Sequence, residues 1–343
     1  MRHAVLGIVL AIAACGTACT GLPGAAPTGP RATVTVAVSG VSSDAAFYIG
    51  IEKGYFAEQG IDVQLVPFKV PADVMTAVAT GNVDVATGAP AAGLFNAMAS
   101  GIPLKVVASN SRLEQGRDGG AFVLRPDVAR NVRTVADLKG KKLGIAALNG
   151  SPGEILYDRM LAQAGLSADD VELTVTGGFP EMLTALDTGR IDGAVLAEPW
   201  VSIAVQQGTA VVYERFADIA PSLEWNLLVY SSGFATQRTD VARRFMVARL
   251  RAVRDYESGF FGGRDRDELV SILTRNTSVT DPSLYPRMSF SEMDPDGRLD
   301  AESVGVLQDW YVAHGYVTKP AELSTVVDPE FASFAVGVLG PSH

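Results

Sequence analysis

Between Thr33 and about residue 234 the chain alternates short apolar runs with amphipathic segments, and this alternation restricts the fold more than any other feature. A short apolar run suits a strand covered on both faces, and a helical segment between two such strands carries the chain back so that they lie side by side. The pattern predicts α/β architecture with parallel sheets flanked by helices. Strands are expected at 33–38, 62–68, 83–87, 104–109, 121–125, 142–146, 171–176, 193–197, 209–213 and 225–230. Helices are expected over about 44–59, 71–80, 89–100, 151–164, 180–188 and 199–207. Gly60, Gly81, Gly101, Gly165, Gly189 and Gly208 follow helical segments and read as helix stops, because glycine enters the left-handed conformation without a Cβ penalty.

One repeat says more than these local assignments. Thr80-Gly81-Asn82-Val83-Asp84-Val85-Ala86 matches Thr188-Gly189-Arg190-Ile191-Asp192-Gly193-Ala194, 108 residues later. Both copies run helix, glycine stop, acidic turn, buried strand and proline-bearing loop, which predicts two halves of related construction. Ligands of open α/β sheets sit beyond the carboxyl ends of the strands. Two such halves face to face place these loops around one cleft.

Length and charge agree. The 343 residues suffice for about two domains. With 28 Lys+Arg against 38 Asp+Glu the net charge is −10, the wrong sign for displacing counterions from nucleic acid. A composition 48% apolar and 19% charged excludes a disordered chain. Residues 1–14 read as a signal peptide: Ala4 to Ala14 is an uncharged run reaching only about 16 Å as a helix, too short to span a bilayer. Ile12-Ala13-Ala14-Cys15 resembles a lipobox, which makes Cys15 the acylated first residue; the alternative is ordinary signal-peptidase cleavage with Cys15 and Cys19 incidental. Residues 15–32 then form the lipidated N-terminus and a flexible linker. From Thr20 onward there is no cysteine, and the histidines are His314 and His343. That leaves little material for thiol catalysis, a Ser-His-Asp triad or a metal site, so no catalytic residue, metal or cofactor is expected.

The run Ala46-Phe47-Tyr48-Ile49-Gly50-Ile51-Glu52-Lys53-Gly54-Tyr55-Phe56-Ala57-Glu58-Gln59-Gly60-Ile61-Asp62-Val63, then Gly81 to Gly88, then Ala197-Glu198-Pro199-Trp200, resembles the nitrate/taurine/alkanesulfonate substrate-binding proteins of ABC importers, which include thiamine-pyrimidine binders. The resemblance implies a type II periplasmic-binding-protein fold, with two α/β lobes, a ligand cleft and two crossover strands. Lobe one would hold 33–115 plus 228–343, and lobe two 116–227. It implies a monomer, lipid-anchored on the outer face of the bacterial cytoplasmic membrane or periplasmic, that captures a small organic molecule and delivers it to an ABC permease and its ATPase. The solute would be a sulfonate- or nitrate-like anion or a pyrimidine-like heterocycle. The alternative is an enzyme on the same fold related to thiamine-pyrimidine biosynthesis, for which the resemblance implies a cysteine-rich iron motif and an active histidine that residues 20–343 do not supply in the expected cleft loops.

Candidate contacts follow loop by loop. After the first strand come Ser42, Ser43, Asp44, Phe47 and Tyr48. Ser43 or Asp44 serves as a contact or as a helix N-cap, and Phe47 as a contact or as core. Thr87-Gly88-Ala89-Pro90 leads into a helix whose N–H groups a ligand can approach across small residues, and Asn110 adds a neutral amide. Asn149-Gly150-Ser151-Pro152-Gly153-Glu154 carries capping-box spacing with Pro152 at the first helical position. The resemblance implies that this helix start helps cradle the anion of sulfonate and nitrate binders; Glu154 opposes that, by capping or by facing the cleft. Glu198, Trp200, Trp225 and Phe179 complete the wall, with Trp200 either stacking on a flat ligand or closing the core. Two acids and several aromatics suit a neutral or amino-bearing aromatic better than a bare sulfonate. Beyond Thr239, Val241, Phe245, Ala248, Ala252 and Tyr256 form an apolar stripe, with Arg243, Arg244, Arg249, Arg251 and Arg254 read as a solvated face, the alternative being a docking patch for the importer. His314 reads as a cation at a helix end.

Mass spectrometry of protein from its own host is expected to find a diacylglyceryl-modified Cys15 as the first residue, and Cys15→Ser should release the protein from membranes. An unmodified N-terminus beyond Cys15 rejects that reading.

Overall fold

The computed structural model describes residues 30–342, so the signal peptide, Cys15 and most of the linker lie outside the described residues. Among these the strands are β1 (Ala32–Val38), β2 (Ile61–Pro67), β3 (Val85–Gly88), β4 (Lys105–Arg112), β5 (Gly120–Leu124), β6 (Lys142–Ile145), β7 (Glu172–Val175), β8 (Gly193–Ala197), β9 (Val211–Arg215) and β10 (Glu224–Tyr230). They form two five-stranded sheets, ordered β2-β1-β3-β10-β4 and β7-β6-β8-β5-β9.

The expectation of parallel sheets holds within β2-β1-β3 and β7-β6-β8 and fails at one strand of each sheet. β10 runs antiparallel to β3 and β4, and β5 antiparallel to β8 and β9. The cause is the path of the chain. A parallel neighbour needs a return excursion; β5 follows β4 straight from the first sheet, and β10 follows β9 straight from the second. Each arrives at the edge where the other strands end, and so runs against them.

The repeat has a structural meaning. β3 and β8 hold the same position in their sheets. Gly81 and Gly189 take φ of 73° and 71°, the left-handed turn that ends each helix. Asp84 accepts from the Thr35 N–H of β1 at 3.0 Å, and Asp192 from the Lys142 N–H of β6 at 2.9 Å. In both halves the acid pins the entry of the central strand to its neighbour.

Other boundaries shift for local reasons. The helix expected over 44–59 divides into Ala45–Glu52 and Tyr55–Glu58, separated by Gly54 at φ 74°. The helix expected from 89 begins at Ala92. After β10, the 22-residue helix Thr239–Phe260 buries Phe245, Ala248, Ala252 and Tyr256 as the stripe predicts. Arg249 is a correction: far from solvated, it is 2% exposed, stacked 4.5 Å from the Phe47 ring with one Nη donating to Asn110 Oδ1. Helix Ala301–Ala313 packs Leu307 and Tyr311 into an apolar cluster that runs from Ala37 and Val74 across to Ile145 and Leu156, joining the halves.

Tyr157 mends a gap in the second sheet. β6 and β8 pair only at Leu143 with Gly193 and Gly144 with Ala194. Beyond that, the buried Tyr157 hydroxyl donates to the Gly144 carbonyl at 2.6 Å and accepts from the Val195 N–H at 3.2 Å. Removing the hydroxyl leaves both backbone groups unpaired in the core. Tyr157→Phe is expected to cost about 1–3 kcal/mol in chemical denaturation, and a loss under about 0.5 kcal/mol contradicts this account.

Candidate functional site

The carboxyl ends of the two sheets enclose an open cleft of about 850 Å³. Its wall is built from the loop after β1 (Ser39, Val41, Ser42, Ser43), the end of β3 (Gly88, Ala89), the loop after β6 (Ala146, Ala147) and the helix start Ser151-Pro152-Gly153. The crossings contribute Gly119 before β5 and Trp225-Asn226 in β10, and Phe179, Met182 and Phe216 close the second half. None of the lining residues is Lys, Arg, Asp, Glu or His. Five serines, one asparagine and three aromatic residues stand among otherwise small and aliphatic ones; the Asn226 amide donates to the Ser111 hydroxyl behind the wall.

The charges stand behind that wall. Asp44 is fully buried; its Oδ2 accepts from the Ser39, Gly40 and Val41 N–H groups at 3.0, 2.8 and 3.2 Å, and its Oδ1 from the Thr87 hydroxyl at 3.0 Å. One carboxylate thus shapes the first loop and ties it to β3. Burial pushes its pKa up to about 6, against the hydrogen bonds that pull it down. Glu198 is also fully buried, accepting from Ser202 and Ser289 N–H, and burial raises its pKa as well. The halves touch directly through Ser42 N–H to the Glu198 carbonyl at 2.8 Å and Ala92 N–H to the Gly150 carbonyl at 2.9 Å.

Of the residues singled out from the sequence, the structure gathers Ser43, Gly88, Ala89, Ser151, Gly153, Phe179 and Trp225 on the wall. The others stand elsewhere. Phe47 is core against Phe245, and Thr87 is turned to Asp44. Tyr48 lines a smaller apolar pocket beside Pro199 and Tyr285. The Pro90 carbonyl holds the Tyr311 hydroxyl, and the Ala92 N–H that begins the next helix is taken by Gly150. Asn110 lies within β4, its amide donating to the Ser43 carbonyl and its oxygen held by Arg249. Asn149 is exposed, at φ 66°. Glu154 caps its helix through the Gly150 and Ser151 N–H groups. Glu198 points away from the wall, and Trp200 packs beside Met182 and Val201. His314 stacks 4.0 Å from Trp310 at the end of helix Ala301–Ala313.

Ser291 and Phe216 are among the wall residues that the sequence did not single out. Ser291 belongs to an irregular segment that Tyr256 holds by its hydroxyl on the Ser291 carbonyl, while Ser289 Oγ donates to Asp118. Phe216 packs edge-on against Trp225, 5.8 Å between centroids.

A family model described as NMT1/THI5 like matches residues 42–256. A putative thiamine biosynthesis protein of Haemophilus influenzae is 28% identical over 199 residues, 57% of this chain and 59% of that protein, so the match spans under two thirds of that relative. The riboflavin-binding protein RibY of Chloroflexus aurantiacus is 28% identical over 282 residues, 74% of each chain. A 4-amino-5-hydroxymethyl-2-methylpyrimidine phosphate synthase of Aspergillus parasiticus is 30% identical over 156 residues, 44% of this chain and 41% of that one. Among solved structures, the periplasmic nitrate-binding protein NrtA from Synechocystis PCC 6803 superposes with TM-score 0.73 at 14% identity, covering 90% of this chain and 89% of that one. The alkanesulfonate-binding protein SsuA from Xanthomonas axonopodis pv. citri gives 0.68 at 19%, covering 88% and 99%. These two likenesses show the two-lobed periplasmic-binding-protein fold.

Asp44 makes stability depend on pH in a defined sense. Its pKa is raised in the folded state, so its contribution is fully present below about 3.8 and is lost as the pH rises through about 6. Denaturation between pH 4 and 7.5 should show the wild type losing roughly 2–2.5 kcal/mol relative to Asp44→Asn. Parallel stability curves reject this.

Proposed function

We propose that this chain, which belongs to the NMT1/THI5-like family, is an extracytoplasmic solute-binding protein whose cleft takes an uncharged, flat heterocycle of the pyrimidine or flavin class and presents it to an ABC import permease. The observation that carries this is the wall's lack of charged side chains beside three aromatic rings and several hydroxyls. A bare sulfonate or nitrate in a partly desolvated cleft needs a cation or a cluster of free N–H donors. The nearest buried cation below the first loop, Arg249, lies behind Asn110 with Phe47 under its guanidinium. A flat heterocycle instead stacks on rings such as Trp225 and matches its polar edge to Ser43, Ser151, Ser291 and Asn226. The names of two relatives, a riboflavin-binding protein and a pyrimidine phosphate synthase, point to the same class.

Binding energy goes into favouring the closed arrangement, and the permease reads the closed lobes. The first sheet with the segment after β10 forms one lobe and the second sheet the other. The protein works as a monomer without cofactor, held to the membrane by acylated Cys15; among the described residues no helix is long and apolar enough to cross a membrane.

The enzyme reading draws on the synthase relatives and requires iron. The residues present do not fit that metal: among those described, no three His, Cys, Asp or Glu side chains are grouped to hold an ion. His314 stacks on Trp310, outside the cleft wall.

Calorimetry and thermal shift with riboflavin, 4-amino-5-hydroxymethyl-2-methylpyrimidine, nitrate and methanesulfonate test the proposal. A heterocycle should bind saturably and raise the melting temperature, while the anions leave it unchanged. Trp225→Leu should weaken the heterocycle about three- to tenfold. Binding of methanesulfonate with neither heterocycle responding overturns it.

A further inference from the structure

The helix Pro152–Ala162 starts on the cleft wall, with Ser151, Pro152 and Gly153 all lining it. A helix start presents unsatisfied N–H groups and a partial positive charge, the two features that hold oxyanions. Glu154 sets a carboxylate at this start, drawn back onto the two N–H groups just before the helix. Its Oε2 accepts from the Gly150 and Ser151 N–H groups, each at 2.7 Å, and the residue is only 9% exposed, so its charge is set where screening by water is weak.

Its other oxygen is held from the opposite lobe. The Tyr316 hydroxyl donates to Glu154 Oε1 at 2.8 Å. Tyr316 is fastened to the first half, since Asn96 Nδ2 donates to its carbonyl at 2.9 Å. One turn along the same helix the seam repeats, with Trp310 Nε1 donating to Asp158 Oδ2 at 2.8 Å. What remains beside the wall is a buried hydroxyl. Ser151 is 5% exposed, and its Oγ has no hydrogen-bond partner within the protein.

We propose that Glu154 is a specificity-determining residue of the cleft: it fills and negatively charges a helix start that would otherwise accept an anion, leaves the Ser151 hydroxyl to meet the solute, and is locked in that position by Tyr316 when the lobes close. This rests on the solute-binding reading above. A hydroxyl both donates and accepts, so it serves a ring nitrogen or an exocyclic amino group equally, whereas an anion meets a fixed like charge one helical turn away.

Inorganic sulfate is the probe for rejection, and riboflavin and the aminopyrimidine are the probes for acceptance. Wild type should show no saturable sulfate binding by calorimetry, and Glu154→Gln should bind sulfate at least about tenfold more tightly. Glu154→Asp keeps the charge and should still reject sulfate, which a purely structural cap does not predict. Tyr316→Phe leaves the cap bonds in place and removes only the grip across the lobes; it should gain sulfate affinity, less than Glu154→Gln. Ser151→Ala should weaken the heterocycle about tenfold without admitting sulfate. The proposal fails if wild type binds sulfate as well as Glu154→Gln, or if Glu154→Gln with an unchanged melting profile ignores sulfate. Should Glu154→Gln not fold, Tyr316→Phe decides, and a sulfate response equal to wild type overturns the proposal. Heterocycle binding by wild type is a separate readout: its absence overturns the solute-binding reading, while the sulfate comparison among variants still judges Glu154.

Discussion

Two crossings of the chain between sheets are the constraint on which the rest of the structure depends. β5 and β10 each follow a crossing, fill the fourth place of the sheet they enter and are paired on both edges. All seven residues of β10 and all five of β5 are buried. The first sheet is completed only when the chain returns from the second, because β10 pairs both β3 and β4, whereas the second sheet is built from the consecutive strands β5 to β9; the two crossings tie the sheets along the edge where these strands enter. The cleft is that edge. Trp225, Asn226 and Gly119 reach the wall because they stand where the crossings begin or end.

A second theme is the separation of charge from the binding surface. Asp44, Glu154 and Glu198 each adjoin a wall residue in the chain and Arg249 lies deeper, behind Asn110, yet each is turned to a protein partner. Asp44 and Glu154 resolve the same problem alike, each gathering backbone N–H groups at a loop that leads into a helix. Buried carboxylates held this way fix the loop backbone and leave hydroxyls and rings on the surface. The result is a wall without charged side chains, and that wall, more than any residue taken singly, is what the proposal of a neutral solute rests on. Of the contacts that join the halves, the one from Ser42 uses the Glu198 backbone carbonyl, and the one from Tyr316 uses the Glu154 carboxylate itself.

Local pattern carried the elements because strand burial and helix termination are local physics. The apolar runs marked β1 through β10 to within a few residues, and the left-handed glycines marked the ends of helices. The repeat made the two acids, Asp84 and Asp192, legible as equivalent before any coordinates. Ser151 to Glu154 was readable as a cap from spacing alone, though whether its carboxylate faced the cleft was not. Arg249 was misplaced and Phe47 left open between contact and core for a shared reason: on their own helices each has one face among several, and only the packing of Thr239–Phe260 against the first helix turns both inward.

By itself the sequence determined the alternation of elements, the doubling of a construction unit and the exclusion of cysteine-based chemistry from the folded body, because each follows from residues near one another in the chain. The tertiary structure alone decided the direction of β5 and β10, the neutrality of the cleft wall and the recruitment of Ser291, Phe216 and Tyr316. These depend on segments 60 to 160 residues or more apart being brought within hydrogen-bond or van der Waals distance, as with Tyr316 and Glu154, 162 positions apart. No local periodicity encodes such a meeting; it is fixed by how two separately formed layers pack.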